Sequence, residues 1–74
     1  MKLREGQKFR VIGFPQIPGL ESGQEYRVAF ISWMRGNPYY GLRRKHGRKT
    51  VAKHFTTLID SWLDRGGLHQ LVRA

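Results

Sequence analysis

The sequence predicts a mainly β, α+β domain: a small curled antiparallel sheet of four to five strands with a short C-terminal helix. Three observations predict it. Apolar residues alternate with polar ones in two early stretches, turn-forming Gly and Pro punctuate them, and the apolar spacing changes to a helical one after residue 56. At 74 residues with 39% hydrophobic content the chain supports one small core, so residues 1–74 are read as a single domain.

Residues 7–14 alternate, with Phe9 and Val11 on one side and Lys8, Arg10 and Ile12 on the other, as a half-buried strand does. Residues 15–19 carry Pro15 and Pro18, which cannot donate ladder hydrogen bonds, and read as a loop. The strongest strand is residues 23–33, with Tyr26, Val28 and Phe30 expected on one face. A turn at Arg35-Gly36-Asn37-Pro38 leads to a third strand, residues 39–44. His46-Gly47 is expected at the tip of the next hairpin, with the glycine at positive φ and residues 49–52 returning.

Leu58, Ile59, Trp62 and Leu63 then recur at helical spacing, with Thr57 and Asp60 placed as a capping box and Gly66-Gly67 as a stop. Residues 68–74 suit either a further helical turn or a closing edge strand. The expected core is Phe9, Val11, Tyr26, Val28, Phe30, Leu42, Val51, Leu58, Ile59 and Trp62.

Charge singles out the functional candidates. The chain has 14 Lys and Arg against 5 Asp and Glu, a net +9. Arg43, Arg44, Lys45, Arg48, Lys49 and Lys53 fall within residues 41–55, which hold no acid, so the excess gathers on the third and fourth strands and their turn. Such a run can simply be a solvated face. Cations this concentrated repel one another in the free protein, however, and phosphates or an acidic protein surface would neutralise them. Lys8 and Arg10 extend the patch, and Trp33, Tyr39 and Tyr40 beside it suit base stacking or protein anchoring as well as packing.

Enzyme chemistry finds little footing. Gly41 and Gly47 enclose five residues, where a phosphate-binding loop has four and a lysine directly after the second glycine. His46, His54 and His69 match no helical metal pair, Asp60 and Asp64 suit a cap and a neighbour of Arg65, and no serine lies in a nucleophile elbow. No cofactor and no metal is expected. Without cysteine the domain has no disulfides, and a charged start with no apolar run leads to the expectation of a monomeric, soluble, cytoplasmic protein that does not engage a membrane.

The stretch from Leu3 to Ile12, followed by Gly19-Leu-Glu-Ser-Gly-Gln-Glu-Tyr-Arg-Val28, resembles small SH3-like β-barrel proteins common among phage early proteins, and Thr50-Val-Ala-Lys-His-Phe55 is similar to the segment that closes such barrels. The resemblance implies an SH3-like partial barrel, although the helix near residues 57–65 is an addition many such barrels lack. Size, basicity and the β-plus-helix plan also resemble the small RNA polymerase-binding transcription antiterminators of phages. That resemblance implies a non-enzymatic adaptor placed between host RNA polymerase and an RNA or DNA backbone, inhibiting initiation and promoting antitermination. Two other functions suit the same cations: a nucleic-acid-binding barrel without a protein partner, and a phage inhibitor of a host defence nuclease.

Overall fold

A computed structural model describes residues 2–13 and 17–71. The elements follow in the order β1 (Lys8–Val11), β2 (Glu25–Met34), β3 (Asn37–Arg44), β4 (Thr50–Phe55), α1 (Thr56–Asp64) and β5 (Leu68–Gln70). The strands form one antiparallel sheet in the order β4-β3-β2-β1-β5. The mainly β plan with one short helix is therefore as expected. The helix is not the last element, because residues 68–70 take the edge-strand alternative and pair with β1. Phe14, Pro15, Gln16 and residues 72–74, parts of the expected first strand, loop and tail, lie outside the described residues.

One side of the sheet is dry. Phe9, Val11, Tyr26, Val28, Tyr40, Leu42 and Leu68 point into a core completed by Leu3, Ile17 and Leu20 from the loops and Ile59 from α1. The helix lies against β3, β4 and β5, so it spans the gap between the two edge strands. Phe9 and Tyr26 are register partners with rings stacked at 6.0 Å, and the buried Tyr26 hydroxyl accepts the Glu21 N–H at 2.9 Å. The buried Tyr26 hydroxyl thus keeps a partner, as a water-poor interior requires.

Several local expectations are corrected. β2 carries a bulge between Val28 and Phe30, so Val28 faces Leu42 inside while Phe30 faces Gly41 outside. A second bulge in β4 leaves Val51 out of the core at 37% exposure, and Leu58 stands at 47% on the outer side of α1. Trp62 is only partly buried, packed against the core's edge.

The capping box does not form. β4 runs straight into α1, so the N-cap is Phe55 with no side-chain cap bond, and the Asp60 carboxylate instead accepts the Tyr40 hydroxyl at 2.7 Å and the Lys2 backbone N–H at 3.2 Å. The helix does stop at the glycines, with Gly66 at φ 80°.

The turn between β2 and β3 is tighter than expected. It consists of Arg35 and Gly36 alone, at φ 51° and 80°, the left-handed pair whose twist matches that of a two-residue hairpin. β3 accordingly begins at Asn37, and Pro38 pairs with Trp33 at the strand's start, where β4 does not reach and a missing N–H costs no ladder bond to it. At the next hairpin Gly47 closes a turn by donating to the Arg44 carbonyl at 2.9 Å without taking the expected positive φ.

Candidate nucleic-acid interface

The other side of the sheet is open, and none of the buried core residues projects from it. Strand register fixes what it displays, because directly paired residues point the same way. One row across the strands is Lys8, Arg27, Arg43 and Thr50. The next is Phe30, Gly41 and Lys53, and the one after that is Ser32, Tyr39 and Phe55, followed by Met34 and Asn37. On the far side of the Lys8 row lie His69, Arg10 and Glu25. The face is thus cationic toward β1 and aromatic toward the β2–β3 turn, with Lys53 where the two halves meet.

Gly41 makes the aromatic half possible. A Cβ at this position would come within 2.2 Å of the Phe30 ring, so only glycine lets that ring reach across β3. Phe30 then meets Tyr39 edge to face, with centroids 6.2 Å apart and planes at 83°. Beside them Met34, Tyr39, Lys53, His54, Phe55 and Leu58 line a groove of about 260 Å³. Phe55 and Met34 are 45% and 53% exposed at its rim.

The cations divide into two groups. Arg44 is within 3.4 Å of Glu21, and Lys45 and Arg10 lie 3.3 and 3.1 Å from Glu25, so tertiary folding supplies acids that the local sequence of the run lacks. Those hydrogen bonds, first from Lys45 and then from Arg10, hold the Glu25 carboxyl below its usual 4.5. The pairing stabilises the fold above that value and is lost as pH falls through the lowered one. A wider cleft beside these residues, lined by Gln24, Glu25, Arg44, Lys45, His46 and Gly47, has Glu25 in its wall and suits an anion poorly.

Arg43, Arg48, Lys49, Lys53 and Lys8 form the second group, which takes part in none of the ion pairs among the described residues. The Arg43 Nε is buried without a hydrogen-bond partner among the described residues.

Of the expected site residues, Lys8, Arg10, Tyr39, Arg43 and Lys53 share the open face, Arg10 paired there with Glu25. Arg48 and Lys49 are exposed on the β3–β4 turn, and Trp33 stands at the β2–β3 hairpin with 64% exposure. Tyr40 has no surface to offer a partner: it is wholly buried, its hydroxyl accepting the Leu3 N–H at 3.1 Å and donating to Asp60.

The sequence reading missed Phe30, placed in the core, and left Phe55, Met34 and Arg27 without a role in the site. Lys53 and Phe55 are two residues apart, which puts them on one side of any regular strand and was the available signal. Arg27 organises the basic turn, donating to the carbonyls of Arg44, Lys45 (3.2 Å) and Gly47 (2.7 Å).

Among the described residues no cluster of His, Asp or Glu is arranged to hold a metal ion, and no helix is long and apolar enough to cross a membrane. Comparison of the chain with protein-family models, with curated proteins and with solved structures finds no match.

Proposed function

We propose that this protein is a non-enzymatic nucleic-acid-binding module that uses the open face of its sheet and the adjoining basic turn. The observation that carries the reading is the row structure of that face. Arg43, Lys53 and Lys8, which form no ion pair among the described residues, stand in register beside an aromatic surface that none of the described core residues covers. Phosphates would neutralise the repelling cations, and the released counterions would drive association. The action is steric and electrostatic: the nucleic-acid backbone is held, and no bond is made or broken.

In a fluorescence anisotropy titration with a labelled single-stranded oligonucleotide, log K falls against log salt with a slope near −3, as about four or five neutralised phosphates dictate. An affinity that does not change with salt contradicts the reading.

One observation favours a second reading, attachment to the transcription machinery, with host RNA polymerase as the partner and the basic turn toward nucleic acid. Trp33 is exposed at the β2–β3 hairpin beside Met34, where a large apolar side chain serves as an interface anchor. Affinity capture from host lysate tests it: retention of polymerase after nuclease treatment, lost in Trp33→Ala, supports it, and loss of polymerase with nuclease removes it.

A further inference from the structure

We infer that the aromatic half of the open face stacks unpaired bases, so that the ligand is a single strand and not a duplex. This deepens the proposed nucleic-acid function and rests on it.

The spacing of the rows carries the inference. Successive outward rows along a strand lie about 7 Å apart and neighbouring strands about 4.8 Å apart. Starting from the row that holds Arg43, the face therefore presents Phe30 and Lys53 on either side of Gly41 in the next row, then Tyr39 beside Phe55. Cation and ring alternate over short distances, as phosphate and base do along an extended strand. A surface bearing charge alone would serve a duplex equally well, because a duplex offers its phosphates and keeps the faces of its bases stacked inside. The exposed Phe55 ring and the half-buried Phe30 and Tyr39 beside it gain most from a partner that brings flat apolar faces of its own.

The groove beside Phe55 adds a second element. It is walled by Met34, Tyr39 and Leu58 and rimmed by Lys53, a place for a base edge-bounded by apolar side chains with its phosphate at the ammonium. Charge complementarity selects this occupant over an apolar peptide. The carboxylate carried by the outward rows is Glu25, on the far side of the cationic row from the rings and already paired with Arg10 and Lys45. Ser32 and Asn37, next to Tyr39 and Met34, supply hydrogen-bonding groups on the same face.

Three probes of equal length separate stacking from charge: a single-stranded oligothymidylate, an oligomer with every base replaced by an abasic site, and a blunt duplex. The oligothymidylate is expected to bind at least about 10-fold more tightly than the abasic strand. Phe55→Leu, which keeps an apolar side chain and removes the ring, weakens oligothymidylate binding about 10-fold and leaves abasic binding unchanged, whereas Phe55→Trp retains the affinity. Equal binding of thymidylate and abasic strands, or tighter binding of the duplex, overturns the stacking inference and leaves the electrostatic reading standing. Failure of all three probes to bind overturns both.

Discussion

Replacing Arg43, Arg48, Lys49 and Lys53 together by alanine lowers single-strand affinity about 100-fold near physiological salt and flattens the slope of log K against log salt by about 3. These four were chosen by partnership, not by position in the run. Arg44 and Lys45 belong to the same stretch, yet each already faces a carboxylate, so a phosphate would have to compete with Glu21 or Glu25 for them. The double variant Arg44→Ala, Lys45→Ala is therefore expected to lose no more than about 3-fold, less per cation removed than the quadruple variant. The quadruple variant keeps its fold: the four side chains make no ion pair among the described residues, and removing them relieves mutual repulsion. Anisotropy titrations at several salt concentrations, with thermal melts beside them, measure both effects. Equal losses per cation removed, about 10-fold in the double variant against about 100-fold in the quadruple, would mean that the run acts by bulk charge and not through an organised face.

Tyr40→Ala is expected to leave the chain largely unfolded. Removing a buried aromatic ring costs about 3–5 kcal/mol, a large share of the 5–15 kcal/mol typical of whole domains, and a chain this short sits toward the low end. Tyr40→Phe isolates the hydroxyl, which ties the N-terminal segment at Leu3 to α1 at Asp60; its loss costs about 1–2 kcal/mol.

The same hydroxyl sets an alkaline limit. Burial, followed by the hydrogen bond to Asp60, pushes the Tyr40 phenol up to about 12 from 10.0. The folded state thus holds the neutral form while the unfolded chain begins to ionise at about 10. The contribution is complete below that point and is lost as pH rises from about 10 to 12. Denaturant melts at about pH 8 and pH 11 should show a drop in wild type that is smaller in Tyr40→Phe. An identical drop in both would place the alkaline sensitivity elsewhere.

Tyr39 and Tyr40 mark the boundary of what the sequence could reveal. Alternation shows that the two must point opposite ways, but which points inward depends on the side α1 covers, and that is a property of the assembled sheet. Tyr26, Val28 and Leu42 were legible as core because long alternating strands impose a buried face wherever they pair. Phe30 was not, since the bulge at β2 that turns it outward is a relation between two strands and leaves no local mark. Asp60 was drawn to a capping role by its spacing from Thr57, and only the fold brings Tyr40 and Lys2 to it. The basic run was plain from composition. Its division into paired and unpaired cations was not, because Glu21 and Glu25 reach Arg44 and Lys45 across about twenty residues of chain.

The most direct test of the open face as the binding surface is a two-dimensional amide NMR titration of the intact chain with a short single-stranded oligonucleotide. The expected shifts concentrate at Phe30, Ser32, Tyr39, Arg43, Lys53 and Phe55, while Ile59 in α1 and Leu3 on the opposite side stay in place. Shifts confined to α1 and the loop around Ile17 and Leu20, with the open face unmoved, would contradict it.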